Sequence, residues 1–379
     1  MGAVTMIEPA LAAWLTAHTG QPGTWALHRL PGGNSNETCL LTSGATTGAQ
    51  AAMDTDGMTD TEGTAAGVGT ADTKGTAAGV GTHYILRRPP QHALSASAHS
   101  VAREHRLLTA LDGTGVPAPR PVALCEDPAV PLAPFLVMEH IADAVSITDT
   151  LPAAYAKDPA ALPRLADEIV GALAAVHRLD WHQAGLDGFG RPGQFLERQV
   201  PRWYKQWQGI ARRPLPAMDR IAGWLEHTRP PDRPPALLHG DFHLDNCLYS
   251  TREPRLLAII DWEMATIGDP LLDLGLLLAL WGGSPVGRPA IREIQAVSRL
   301  PGAPGRDQLL ARYEEAAGRP VEHARYYECL ALFKLAAIIE AAYSQYLAGD
   351  LRTPYAAALE HDVPGLLDAA CAIAGLRAT

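Results

Sequence analysis

From Leu237 to Asp273 the chain reads as a loop, a short strand, a turn, a second strand, an acidic loop and a helix start. The loop carries Asp241 and, after four intervening residues, Asn246. The second strand, Leu256 to Ile260, is a short apolar run that ends on Asp261. Such a run bounded by turn residues reads as a buried strand, and an acid at its C-terminal end stands where loops hold ligands. Taken singly, Asp245, Asp269 and Asp273 read as helix caps or loop acids. Asp241, Asn246 and Asp261 together are poorly explained by chance. The alternation His239-x-Asp241-x-His243-x-Asp245 also offers zinc-type ligands, as in a metallohydrolase. No second His cluster elsewhere in the sequence matches it.

The spacing D-x-x-x-x-N followed by a strand-borne Asp is the arrangement kinases use. There the first Asp accepts the proton of the attacking hydroxyl, while the Asn and the later Asp hold Mg²⁺ on the nucleotide phosphates. Magnesium takes oxygen ligands and keeps several waters, so one Asp and one Asn suffice from the protein. With HGDFHLDN followed by IIDWEMATIGDPLLDL, the chain resembles the aminoglycoside phosphotransferase-like kinases. It is most similar to the branch found beside, or fused to, acyl-CoA dehydrogenases. The resemblance implies an α+β, protein-kinase-like bilobal fold: a small antiparallel-sheet N-lobe over residues 1–141 and a larger, mainly helical C-lobe over 142–379. It also implies ATP and Mg²⁺ as cofactors, a small-molecule hydroxyl as acceptor, and His239 as a brace of the loop. His243 is expected to face solvent or lie near substrate.

Composition narrows the alternatives. With 31 basic and 41 acidic residues the net charge is −10, which argues against nonspecific nucleic-acid binding. Five scattered cysteines without a CxxC fit a reducing compartment and no structural zinc. Cys247 adjoins Asn246 but reads as a small buried hydrophobe. The N-terminus lacks a basic region and a long apolar core, and Leu271 to Trp281 is too short to span a membrane. A soluble, cytoplasmic protein without membrane partners is expected.

Ile7 to His18 reads as an amphipathic helix, followed by strand candidates at Trp25–Leu30 and Thr38–Thr42 around a Gly/Asn/Ser loop. Such a loop lets backbone N–H groups approach phosphates. By resemblance it covers the nucleotide, with Ser35 and Asn36 as phosphate contacts. Residues 43–82 repeat GTAAGVGT and hold almost no large apolar side chains, so they read as a flexible insertion between strands. No Gly-Lys-Ser/Thr marks a phosphate-binding P-loop there. HYILRR (His83–Arg88) is the next strand, and alternation puts Ile85 and Arg87 on one face. The resemblance makes Arg87 the phosphate-binding cation and Ile85 the roof of the adenine. An Arg departs from the usual kinase Lys, yet holds phosphate bidentately and stays charged.

Ser97 to Leu111 reads as a helix capped by Ser95 or Ser97, with Glu104 as partner to Arg87. PFLVMEHI (Pro134–Ile141) is a buried strand. By resemblance it leads into the hinge, where backbone groups at Glu139, His140 and Ile141 meet the adenine edge. Helical periods follow at 164–179, 194–208, 214–235, 274–281, 306–318, 322–347 and 353–374. Trp203 and Trp207 form a stripe one turn apart, read as core or as an acceptor-pocket wall. The expected function is transfer of the γ-phosphoryl of Mg-ATP to a hydroxyl. Asp241 serves as base, Asn246 and Asp261 hold the metal, and Asp269 and Asp273 brace the catalytic loop. The acceptor is hydroxyacyl-CoA-like on the branch resemblance and an aminoglycoside on the family's name. A nucleotide-binding pseudokinase or interaction module is the reading from another class.

Overall fold

The computed structural model describes residues 5–30, 36–44, 82–89, 100–283 and 294–377. Ser35 and nearly all of the repeat-bearing insertion lie outside them. The chain begins with β1 (Thr5–Met6), α1 (Pro9–Thr19), β2 (Trp25–Arg29), β3 (Glu37–Ser43) and β4 (His83–Arg88). It continues with α2 (Val101–Leu111), β5 (Pro121–Cys125) and β6 (Phe135–Glu139). Strands β1 to β6 form one six-stranded sheet in the order β1-β2-β3-β4-β6-β5, with every neighbour antiparallel.

The sheet serves two cores because a strand's side chains alternate. On β6, Phe135 and Val137 join a small cluster with Leu11, Leu15, Trp25, Leu41 and Leu86, beneath α1. Leu136 and Met138 face the other way, into the main cluster with α2 and the helices. Ile85 pairs with Met138 and Arg87 with Leu136, so the expected shared face of Ile85 and Arg87 is the one turned toward the helical part. Helix α2 starts later than its sequence suggests. Its cap is Ser100, whose side chain accepts from Arg103 N, and not Ser95 or Ser97. The cap puts Glu104 in the first turn, where an acid also suits the helix dipole.

After β7 (Ala144–Ser146) come α3 (Ala161–Arg178), α4 (Phe195–Ile210), α5 (Pro216–His227) and β8 (Ala236–Leu238). Helix α5 is shorter than expected because Pro230, Pro231, Pro234 and Pro235 supply no backbone donors. β9 (Cys247–Ser250) and β10 (Leu256–Ile259) form a hairpin that β7 extends, while β11 (Thr266–Gly268) pairs with β8. Then come α6 (Leu271–Leu280), α7 (Arg306–Ala317), α8 (Ala324–Ala348) and α9 (Pro354–Ala374). Helices α6 and α8 approach closely at Gly275, where any Cβ would lie 2.5 Å from the Tyr327 backbone. Helix α8 is long and apolar enough to cross a membrane by length and composition, yet 61% of its apolar window is buried inside the fold. A small antiparallel sheet followed by a larger helical part matches the expected α+β architecture.

Candidate active site

The loop between β8 and β9 is held at its start by Asp273, in the first turn of α6. Its carboxylate accepts from His239 N (2.7 Å) and Gly240 N (2.9 Å). His177 Nε2 lies 3.5 Å from the same carboxylate. Gly240 has φ +86°, and a Cβ there would meet Met264 O at 2.3 Å, so only glycine fits. Its carbonyl accepts a hydrogen bond from Lys334 Nζ on α8. The peptide just before Asp241 is thus clamped from both ends. Fully buried His239 donates from Nε2 to Ile260 O (2.8 Å), tying the loop to the end of β10. Burial holds its imidazole below the ordinary histidine range, against the pull of Asp273 and Asp241. The brace expected of His239 and of Asp273 is therefore present. Asp269 departs from expectation. It accepts from Leu271 N (3.1 Å) and Tyr327 Oη (2.8 Å), fixing the start of α6 against α8 instead of the loop.

The Asp241 side chain keeps 35% of its surface exposed, in a loop otherwise buried. Asn246 Nδ2 donates to the Asp241 carbonyl (2.9 Å) and to Asp241 Oδ2 (3.3 Å). Asn246 Oδ1 then carries no hydrogen bond among the described residues, and the Asn246 main-chain carbonyl accepts from Ile260 N (2.9 Å). This last bond sets Asn246 beside Asp261, the next residue after Ile260.

Of the two positions expected of His243, the solvent-facing one is excluded, and it lies instead beside Asp241. It is buried, 3.6 Å from Asp241 Oδ2 and 3.3 Å from Asp245 Oδ2. Burial works against its imidazolium, but the two carboxylates overcome this and push it up to about 10. In turn, burial raises Asp241 but the His243, Lys334 and His239 charges outweigh it. Its carboxyl is held well below the usual range. A zinc site suits neither histidine, because the ring nitrogens of His239 engage Ile260 O and Asp241 N and those of His243 face carboxylates. Among the described residues no group of three or more His, Cys, Asp or Glu has metal-ligating geometry.

Asp261 sits at φ +64° and ψ 58°, left-handed backbone that non-glycine residues rarely adopt. It turns its carboxylate toward the sheet, where Arg87 Nη2 donates to Oδ1 at 2.8 Å. Arg87 Nη1 lies 3.0 Å from Glu104 Oε1, as expected, and Nη2 lies 3.9 Å from Glu263 Oε2. Burial disfavours its charge, but Glu104 and Asp261 overcome that and raise it above the ordinary arginine value. Asn36 Nδ2 donates to Glu263 Oε2 (3.2 Å), which brings the predicted loop contact into the same cluster. Its partner Ser35 lies outside the described residues. Glu139 accepts from Arg120 N through its side chain (2.8 Å) and donates its N–H to Arg120 O (2.9 Å). His140 and Ile141 engage in no backbone hydrogen bond among the described residues, leaving their polar groups open.

Glu263 was missed by sequence reasoning, although it stands two positions after Asp261. Lys334 lies within the 322–347 helical period, and nothing in that period singles it out. It is the lysine buried among the described residues, 5.6 Å from the Trp203 ring. Trp203 and Trp207 are both buried, as the core reading has it, and Trp203 also backs Lys334. Lys334 and Asp241 border a small cleft, partly open to solvent, that Gly240 and Ala331 also line. Its wall is Leu272, Leu276, Leu335 and Ile338.

The profile of the phosphotransferase enzyme family (APH) matches residues 71–325. Acyl-CoA dehydrogenase family member 11 of Rattus norvegicus is 34% identical over 270 residues, covering 70% of this chain and 34% of that protein. The chain thus spans about a third of the length of the curated relatives it matches. Among solved structures, a putative aminoglycoside phosphotransferase from Ralstonia eutropha superposes with TM-score 0.73 at 27% identity, covering 98% of this chain and 99% of that one. The streptomycin–ATP–APH(2″)-IIa ternary complex shares the fold, with TM-score 0.50 at 14% identity over 89% of this chain and 91% of that one. Motif block, kinase-like α+β architecture and profile agree, and the chain, similar in this region to acyl-CoA dehydrogenase family members, belongs to the phosphotransferase enzyme family.

Proposed function

We propose that the chain transfers the γ-phosphoryl group of ATP to the hydroxyl of a small, aliphatic, acyl-bearing acceptor. The observation that carries this reading is the convergence of Asp241, Asn246 and Asp261 on one loop–strand block, with Arg87 meeting Asp261 from the sheet and Glu104 of α2 holding Arg87. Asp241, the exposed carboxylate of the loop, orients the acceptor hydroxyl and takes its proton. Arg87, braced by Glu104, holds the phosphates, with Asn36 and Ser35 on the covering loop. Ile85 roofs the adenine, and the backbone of Glu139, His140 and Ile141 meets its edge. A division into residues 1–141 and 142–379 puts the nucleotide between the two parts.

Asn246 Oδ1 and the Asp261 carboxylate are hard oxygen donors and would hold Mg²⁺. Bound there, the ion would supply charge neutralisation on the phosphates. ATP in the ternary complex of a fold relative adds support for the nucleotide.

The pocket favours an acyl acceptor over an aminoglycoside. A polycation needs several carboxylates, whereas this wall is aliphatic and sets one carboxylate, Asp241, beside one cation, Lys334. Burial pushes Lys334 below the ordinary lysine range, with Asp241 and Asp273 opposing. Arg202 stacks on Trp203 at 4.6 Å, adds to the charge felt by Lys334, and carries no ion pair among the described residues. These groups suit a carbonyl, carboxylate or phosphate on the acceptor, as in a hydroxyacyl thioester.

The test is a γ-labelled ATP transfer screen over hydroxy acids, hydroxyacyl thioesters and aminoglycosides. Label on the first two supports the reading, and label on aminoglycosides alone overturns the acceptor. Zinc-dependent hydrolysis without magnesium, or nucleotide binding without transfer to any acceptor, overturns the reaction in favour of a metallohydrolase or a pseudokinase.

A further inference from the structure

Gln295 belongs to none of the sequence blocks described above. It precedes a short 3₁₀ turn (Ala296–Arg299), has φ +55°, and is fully buried. Every polar group it carries is used. Oε1 accepts from Leu244 N (2.9 Å), its own N–H donates to Asp245 Oδ2 (3.1 Å), and Nε2 donates to Leu277 O on α6 (3.1 Å). Its carbonyl accepts from Ser298 N (2.9 Å) and Ser298 Oγ (2.6 Å).

Two of these bonds go to the middle of the Asp241–Asn246 loop. The third goes to the helix whose first turn carries Asp273, the residue that holds the start of the same loop. The line continues inward. Asp245 Oδ2 lies 3.3 Å from His243 Nδ1, and His243 Nε2 lies 3.6 Å from Asp241 Oδ2. A buried carboxamide on left-handed backbone is costly to keep where an aliphatic side chain would pack. Here the carboxamide satisfies Leu244 N and Leu277 O, while the Gln295 main-chain N–H holds Asp245 Oδ2. Removing the carboxamide leaves Leu244 N and Leu277 O unpaired inside the protein, and an unpaired Leu244 N is a strong reason for the loop, and with it the Asp245 side chain, to move.

We infer that Gln295 is a positioning residue for phosphoryl transfer: it fixes the Leu244–Asp245 turn and, through Asp245 and His243, the orientation of the Asp241 carboxylate. This rests on the reading of Asp241 as the group that faces the acceptor. Misplacing a reacting group by about 1 Å can cost roughly 10²-fold in rate, so the effect belongs in kcat, and nucleotide affinity, governed by Arg87 and Asp261, stays unchanged.

The experiment uses Gln295→Met, which keeps most of the volume and removes every side-chain hydrogen bond, alone and combined with Asp241→Asn. Hydrogen exchange is followed on the 241–247 and 271–280 peptides, and kcat and the ATP KM are measured with the acceptor found in the transfer screen. Expected are faster exchange confined to 241–247, a kcat lower by roughly 10- to 10²-fold, and an unchanged ATP KM. In the Asp241→Asn background the substitution should lower kcat no further, since two residues acting as one unit are non-additive. Additive losses overturn the inference, because Gln295 would then not act through Asp241. Unchanged loop exchange, or exchange accelerated equally in the α6 peptide, also overturns it. Should Gln295→Met fail to fold, Ser298→Ala removes the Oγ bond to the Gln295 carbonyl, along with the acceptor of Gly282 N, and should give the same split on a smaller scale; its absence counts against the inference equally. Wild-type protein that transfers to no acceptor overturns the proposed reaction, and the exchange data then separately decide whether Gln295 fixes the loop.

Discussion

The Arg87 cluster and the Asp241 cluster both hold charge away from water, but they are assembled differently. Around Arg87 the partners come from far along the chain: Glu104 on α2, and Asp261 and Glu263 beyond β10. Around Asp241 they come from its own loop, with His243, Asp245 and Asn246 within five positions. The first joins the sheet to the helical part and is bound by charge, so a polyphosphate and its cation can rearrange it. The second is held on all sides by main-chain bonds from Asp273, Lys334 and Gln295, so little in it can move. On the proposed reading labour is divided: the nucleotide acts on the long-range cluster, Asp261 of that cluster and Asn246 of the loop share the metal, and the acceptor meets a site that is already set.

Substitutions can break that division, and the largest effect is expected at Asp261, which belongs to the long-range cluster and feeds the reaction as well. Asp261→Ala should leave no measurable transfer and should weaken nucleotide binding only when Mg²⁺ is present. Titrating nucleotide across magnesium concentrations tests this; equal affinity in mutant and wild type would remove Asp261 from the metal site. Next comes Asp241→Asn, which keeps the size and a hydrogen-bonding oxygen. General-base help is worth roughly 10²- to 10⁴-fold, so transfer should fall by that factor while thermal stabilisation by Mg-ATP persists. Lost stabilisation with turnover retained would merge the two clusters into one.

A smaller effect is expected for Arg87→Lys. A lysine keeps the charge but lacks the fork that reaches Glu104 and Asp261 together. One charge-assisted hydrogen bond is worth about 1.5–3 kcal/mol, so ATP affinity should drop by about tenfold or somewhat more, with kcat for bound nucleotide less affected. Calorimetric titration checks it, and an unchanged affinity would show that the arginine fork is dispensable. Smallest of all is the effect of deleting residues 45–80. Ser43 N donates to Thr82 O (3.0 Å) and Thr82 N to Ser43 Oγ (3.2 Å), so the ends of the insertion are already clasped at the β3–β4 hairpin. Each halving of loop length lowers closure entropy by about 0.6 kcal/mol. The melting temperature should hold or rise, and transfer should be unchanged. Loss of activity with folding intact would give the insertion a part in the nucleotide cluster.

The same contrast governs what the sequence reveals. Asp241, Asn246 and the strand ending at Asp261 are legible because their geometry is local: a loop of fixed length and one apolar run. Arg87 with Glu104 is legible only through resemblance, since nothing in strand or helix periodicity brings together residues from separate elements. The burial of His243 is not legible in the sequence, since its neighbour Asp245 is held from outside by Gln295, a residue fifty positions away in the chain. Lys334 looked like an ordinary helical lysine until α8 was seen against the Gly240 carbonyl. The three-residue strands β7, β8 and β11 owe their existence to pairing partners distant in sequence, so composition gives no alternation to read. The helix starts moved for local reasons instead, such as the Ser100 cap of α2.

The left-handed backbone at Asp261 has a genetic consequence. Asn and Gly are the residues that adopt this conformation most readily, and each lies one base change from an aspartate codon. On the proposed metal-binding role of Asp261, either change should disable the position without straining the chain, so such alleles are expected to yield normal amounts of an inert protein. Single-base changes to Val or Ala add a conformational cost of roughly 1–2 kcal/mol and would lower abundance as well. In a mutational library scored for both expression and activity, this codon should separate loss of function from loss of protein.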